Sequence, residues 1–272
     1  MKILVTNDDG IDSPGVWALA EVMQQVGETL VVTPDKQQSG VGTSVSLHSG
    51  MSVNEVPSTI QGVRAYAIGG TPSDCVILGL RRLAQGNVDL IVSGINLGAN
   101  MGNDILYSGT VMATLQGYYR KIPSIAISLA IGDPGEEPRF DVVSRVARSL
   151  ALRVKSGKMP AKAILNTNVP NIPLEQIKGI VTTRAGSSGY VRLTRIQGSD
   201  TLSYSLGMRR PALTNSPDQS ANPAAAEEGT DIWAINAGFI SITPLTLDVT
   251  AHELIPSLNE HVPSLESDLL NR

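Results

Sequence analysis

Asp8 and Asp9 stand side by side in MKILVTNDDGIDSPG, directly after the apolar run Ile3, Leu4 and Val5. An apolar run that halts at Asn7, Asp8, Asp9 and Gly10 is how a buried parallel strand meets a loop. In open α/β sheets the carboxyl ends of the strands border the ligand crevice, so both carboxylates face a pocket in which neighbouring negative charges repel. No Lys or Arg lies between Ile3 and Gly15 to neutralise them. A hard divalent cation, Mg²⁺ or Mn²⁺, suits carboxylate oxygens and fills that role. NDDG is equally a set of ordinary turn residues, and these residues alone leave the two readings balanced.

Further oxygen ligands follow later apolar runs. Ser39 comes after TLVVTPD in the Ser- and Gly-rich loop KQQSGVGTSVSL, and Asn96 comes after NVDLIVS in GINLGANMGNDILYSG. Two carboxylates with a neutral hydroxyl and an amide oxygen cancel one divalent charge and leave positions for water and a phosphate oxygen, a set suited to phosphoryl chemistry. Taken singly, Ser39 reads as a loop hydroxyl and Asn96 as an Asx turn. Only their coincidence at strand ends raises them. Ser108, Gly109 and Thr110 precede the helical pattern VMATLQGYYRKI, where Ser108 or Thr110 suits the cap. Free N–H groups at such a start, beside a glycine, also make an anion site.

Several chemistries lack their signatures. There is no G-x-G-x-x-G after the first strand and no G-x-x-x-x-G-K-[ST], which disfavours a dinucleotide oxidoreductase and a P-loop hydrolase. No G-x-S-x-G elbow supports a serine hydrolase. His48, His252 and His261 are not at metal-ligand spacing, and Gly186 to Tyr190 precedes a strand pattern, so it reads as a turn. Cys75, the one cysteine, lies in DCVILGL as a small buried hydrophobe.

Strands and helices must carry these residues to one place. Pro14 opens the helical VWALAEVMQQVG, Gly27 closes it, and TLVVTPD returns as a second strand, which makes a right-handed βαβ unit. MSVNEV and VRAYAIG alternate like a hairpin or edge strands beside the parallel core; SDCVILGLRRLA is a helix capped by Thr71 or Ser73. PSIAISLA, the helix FDVVSRVARSLALRVKSG and the strand AKAILNTNVP complete a doubly wound, mostly parallel α/β sheet. Beyond Gly179 the pattern alternates about a turn at Gly198, Ser199 and Asp200, a long hairpin whose open edge suits a subunit contact. NSPDQSANPAAAEEGT reads as a linker, and the amphipathic tail from Thr250 reads as a segment that packs on another subunit. Residues 1–180 form the catalytic part, and 181–272 form a hairpin, returning strand and tail within the same domain.

With 272 residues, 42% hydrophobic and 17% charged, the chain has the composition of an ordinary globular protein with a full core. Its net charge of −4 and lack of a basic block argue against a nucleic-acid polymer or an acidic membrane surface as partner. A lone cysteine fits a reducing compartment, and cytoplasmic is the expected location.

NDDGIDSPG, QQSGVGTSVSL, SGINLGANMGNDILYSGTVMATLQG and DIWAINAGFISITPLTLD together resemble the survival protein E (SurE) family of metal-dependent 5′/3′-nucleotidases, in register from about Met1 to His252. The resemblance implies a Rossmann-like α/β fold with a carboxyl-terminal β-hairpin and tail used for oligomerisation, as homodimer or homotetramer. It implies one divalent cation per subunit on Asp8, Asp9, Ser39 and Asn96, and phosphate held by Ser108, Gly109 and Thr110. The implied substrates are nucleoside monophosphates and, in some members, short polyphosphate. Gln116 departs from the pattern, since many members carry Glu there. From the residues alone, two other schemes stay open: Asp8 or Asp9 as a nucleophile forming an aspartyl-phosphate, and a nucleotide sensor without turnover.

Overall fold

The computed structural model describes residues 1–132, 135–159, 164–187 and 226–270, together with the backbone of 191–196 and 203–208. The expected turn at Gly198 to Asp200 and most of the linker segment lie outside these residues.

Lys2–Thr6 (β1) leads through Pro14–Gln24 (α1) to Glu28–Pro34 (β2). Val53–Val56 (β3) and Arg64–Ile68 (β4) follow, then Pro72–Leu78 (α2), which runs on through Gly79–Leu83. Leu90–Leu97 (β5), Gly109–Ala113 (α3), Leu115–Tyr118 (α4), Ser124–Ala130 (β6), Phe140–Lys155 (α5) and Ile164–Pro170 (β7) come next. The last part comprises Ile180–Thr182 (β8), Val191–Ile196 (β9), Ser203–Met208 (β10), Asp231–Asn236 (α6), Ile240–Leu245 (β11) and Ile255–Leu270 (α7).

Nine strands form one sheet in the order β3-β4-β2-β1-β5-β6-β7-β11-β8. From β4 to β7 every neighbouring pair is parallel; β3 is antiparallel on β4, and β11 is antiparallel on β7. The parallel run has the doubly wound order 3-2-1-4-5-6, which reverses between β1 and β5, where ligand crevices form in such sheets. β9 and β10 make a separate antiparallel pair.

Because helices cover both faces, strand side chains are buried whichever way they point, and the apolar runs are continuous. Ile3 and Val5 pack with Val16, Leu19 and Met23 of α1 and Val143 and Leu150 of α5. Leu4, between them, joins Leu30, Val32, Cys75 and Val76 on the opposite face.

Two local expectations change. Gly27 does not end α1 by a left-handed backbone; the helix caps at Gln25, and a Cβ on Gly27 would sit 2.2 Å from the Met1 carbonyl oxygen. The glycine is there for a close approach. The segment after Ser108 is not one helix either. Thr114 returns its hydroxyl to the Val111 carbonyl and divides α3 from α4. α2 is capped by Thr71, whose hydroxyl accepts from Asp74 while the Asp74 carboxylate accepts the Thr71 N–H, a full capping box.

Candidate active site

NDDG folds as a turn that leaves its carboxylates unspent. Asn7 closes it with its own side chain, Nδ2 donating to the Gly10 carbonyl at 2.9 Å and Oδ1 accepting the Gly10 N–H at 3.2 Å. Gly10 has φ of 93°, a conformation costly to any residue with a Cβ. Asp8 and Asp9 therefore leave the end of β1 at the point where the sheet order reverses.

Asp8 is 5% exposed, and the hydroxyl of Thr110 donates to its carboxylate. Burial pushes the Asp8 carboxyl above its ordinary range, and the Thr110 hydroxyl and N–H pull it part of the way back. Gly109 lies against the same side chain: a Cβ there would fall 2.8 Å from the Asp8 Cβ and 3.0 Å from Oδ2. Asp9 is half-buried near the Leu97 N–H, which opposes the rise of its pKa, and its Oδ2 is buried with no hydrogen-bond partner among the described residues. Burial first, then the charge of Asp8, raise its pKa to about 6.

The Thr110 bond and the pairing of β1 with β5 bring the start of α3 and the end of β5 to the end of β1. The register of β5 against β6 shifts between Ser93 and Asn96, so that three residues of β5 cover two of β6 and Asn96 is re-aimed. Asn96 Nδ2 donates to the Gly98 carbonyl at 2.7 Å, which leaves its amide oxygen to another partner. Ser108 caps α3, its hydroxyl accepting the Val111 N–H at 3.1 Å. Ser39 is exposed and accepts from Gln37 Nε2 at 2.9 Å; its neighbour Gln38 donates its N–H to the Asp8 carbonyl at 2.7 Å. Gln116 is occupied within its own helix turn, its amide oxygen accepting from Arg120 at 3.1 Å.

The donor set suits a hard cation. No group of three or more His, Cys, Asp or Glu side chains is placed for a metal among the described residues. A cation here would have two carboxylates and neutral oxygens, and the orphaned Asp9 Oδ2 is the atom that most lacks a positive partner.

The sequence reading missed the groups that hold the loop after β5. Asp231, wholly buried, accepts the Gly102 N–H through Oδ2 and the Gly186 and Ile232 N–H groups through Oδ1, each at 2.9 Å. Burial raises its pKa, and these three donors oppose that rise. Asn100 is fastened on the other side: its N–H donates to Asn168 Oδ1, its Nδ2 to Ser128, and its carbonyl accepts from Asn166 and Asn168.

The profile of the family described as Survival protein SurE matches residues 3–192. The protein named 5′-nucleotidase SurE from Dehalococcoides mccartyi (strain CBDB1) is 43% identical over 246 residues, covering 90% of this chain and 88% of that one. Its namesake from Legionella pneumophila (strain Lens) is 39% identical over 259 residues, 95% and 96% of the two chains. The crystal structure of the SurE protein from Aquifex aeolicus superposes with a TM-score of 0.77 at 35% identity, covering 96% of this chain and 99% of that one. On a profile that spans most of its length and relatives matched nearly end to end, this chain belongs to the SurE family.

Proposed function

We propose that this protein is a divalent-metal-dependent phosphomonoesterase that hydrolyses nucleoside 5′- and 3′-monophosphates to nucleoside and phosphate, and also acts on short polyphosphate. The observation that carries this reading is the Asp8–Asp9 pair at the sheet's reversal point, with one Asp9 oxygen buried and unpartnered among the described residues. Relatives named 5′-nucleotidase, similar over almost the whole chain, support it.

Asp8, Asp9, Ser39 and Asn96 hold one Mg²⁺ or Mn²⁺ per subunit. When bound, the cation supplies Lewis-acid polarisation of a phosphate oxygen and lowers the pKa of the attacking water. Ser108, Gly109 and Thr110 take the remaining phosphate charge, with Thr110 also fixing the rotamer of Asp8. One of the two carboxylates orients the water or receives its proton, in line with the departing nucleoside oxygen.

The exposed tail supports a homodimer or homotetramer: Leu258, Val262, Leu265 and Leu269 recur on α7 at helical spacing and are 41 to 77% exposed. The single cysteine, Cys75, is buried and supports a cytoplasmic setting. No helix among the described residues is long and apolar enough to cross a membrane.

Phosphate release from a panel of nucleotides, with Mn²⁺, with Mg²⁺ and with chelator, tests the reading. Release should need the cation, and Asp8→Asn and Asp9→Asn should each lower it by about a thousandfold or more, a loss of at least ~4 kcal/mol of transition-state stabilisation. Undiminished turnover by both variants with Mn²⁺ rejects the metal-centred scheme. A trapped phosphoenzyme would replace it with an aspartyl-phosphate route, and tight nucleotide binding without release would make the protein a sensor.

A further inference from the structure

A cleft of about 260 Å³ opens beside the carboxylate pair, lined by Asp35, Lys36, Gln38, Ser46 and the Gly69–Thr71 turn. It adjoins the pair through covalent neighbours and hydrogen bonds. Gln38 donates to the Asp8 carbonyl at 2.7 Å, and a Cβ on Gly10 would lie 3.1 Å from the Lys36 carbonyl carbon. The volume is just under the ~300 Å³ lower bound of pockets that enclose a whole drug-sized ligand, so it suits one part of a substrate, of the size of a sugar.

The polar groups of the wall divide into two kinds. Ser46 donates its N–H and hydroxyl to Asp74 at 3.0 and 2.8 Å, and the Thr71 hydroxyl donates to the Ser44 carbonyl at 2.7 Å. These groups are spent on building the wall. The Asp35 carboxylate is exposed, with no hydrogen bond or ion pair among the described residues, while its N–H is anchored to the Ile68 carbonyl at 2.8 Å. A carboxylate only accepts, and its two oxygens match two adjacent hydroxyl donors. Asp35 directly follows β2. Dinucleotide-binding folds of this strand order, which carry a glycine-rich loop that this chain lacks, use an acidic residue in the comparable part of the chain to receive a ribose hydroxyl.

We infer that this cleft receives the ribose of a ribonucleoside 5′-monophosphate and that Asp35 accepts hydrogen bonds from its free 2′- and 3′-hydroxyls. The inference rests on the phosphomonoesterase reading and adds a selectivity to it. A 2′-deoxynucleotide lacks one donor, and in a 3′-monophosphate the 3′-oxygen is esterified, so both are poorer substrates than the 5′-ribonucleotide.

The test compares kcat/KM of the full-length protein with Mn²⁺ for adenosine 5′-monophosphate, its 2′-deoxy counterpart and adenosine 3′-monophosphate, in wild type and Asp35→Ala. The wild type should prefer the 5′-ribonucleotide by about tenfold, the worth of one charge-assisted hydrogen bond, and D35A should bring the preference within twofold. A preference that is absent in wild type, or retained in D35A, overturns the inference. Saturation-transfer NMR with adenosine alone supplies a readout without turnover. Contact at the ribose protons that D35A loses supports the cleft, and equal contact in both proteins rejects it. If the wild type releases no phosphate from any nucleotide, the enzymatic reading fails while the NMR comparison still decides whether the cleft binds ribose through Asp35.

Discussion

Thr110 and Asp8, 102 positions apart in sequence, are joined by a hydrogen bond from the threonine hydroxyl to the carboxylate. Both are buried, so solvent offers no substitute donor. Replacing Thr110 by Val keeps the shape and removes that donor. The expected outcome is a 10- to 100-fold fall in kcat and a stability loss of about 1–3 kcal/mol, the range for a buried charged acceptor left short of a partner. Phosphate-release kinetics beside urea unfolding check it; an unchanged kcat would show that Asp8 keeps its orientation without the hydroxyl.

Gly109 sits so close to Asp8 that an added methyl group has no room. In Gly109→Ala the new carbon meets Asp8 Cβ at 2.8 Å and Pro72 Cγ at 3.2 Å, so the aspartate or the start of α3 must move. Overpacking of this kind costs about 1–3 kcal/mol, and displacing the carboxylate lowers activity by about a hundredfold or more. Calorimetric Mn²⁺ titration separates the causes: metal affinity falls if Asp8 has moved and holds if only the helix has.

Asp9 gives the metal-free protein an unusual pH dependence. Its carboxyl titrates at about 6 in the fold against an ordinary 3.8, so between those values the folded chain retains a proton that the unfolded chain has lost. The contribution of Asp9 to stability is therefore fully present below pH ~4 and is lost as pH rises through ~6, an amount on the order of 2–3 kcal/mol. Urea midpoints of chelator-treated wild type and Asp9→Asn at pH 4.5 and pH 7 test the sign: the wild type loses more stability on going to pH 7. Equal slopes in both proteins would contradict it.

Asp231 joins the loop after β5 to the segment that enters the β9–β10 pair, through Gly102 on one side and Gly186 on the other. Asp231→Asn puts an amide NH₂ where an acceptor is needed, at a cost of about 1–3 kcal/mol. Melting temperature should fall by several degrees, and amide exchange at Gly102 and Gly186 should quicken together. Acceleration at only one of them would mean that the carboxylate does not couple the two segments.

Much of this arrangement is legible along the chain, because the parallel strands are continuous apolar runs that end in polar loops. β1, β2, β5, β6 and β7 each announce themselves that way, and Asp8, Asp9 and Ser39 stand out by following such ends, whereas Asn96, expected beyond a strand, lies inside β5, which runs on past its bulge to Leu97. What stays hidden is set by contacts across long separations. Asp231 reads in sequence as an acidic residue in a first helical turn; nothing local shows that it reaches Gly102, 129 positions earlier. Gly27 and Thr114 mislead for a related reason. The glycine answers to the Met1 carbonyl, and the threonine bends its own helix by a back-bond that periodicity does not register.

The final helix has a bearing on the thermodynamics of the whole chain. α7 hides none of its side chains, and its row of leucines and valine gains nothing from order until something apolar lies across it. If that something is a second copy, mass action enters: each dilution weakens the ends first, while the sheet that carries Asp8 and Asp9 answers only to its own interior.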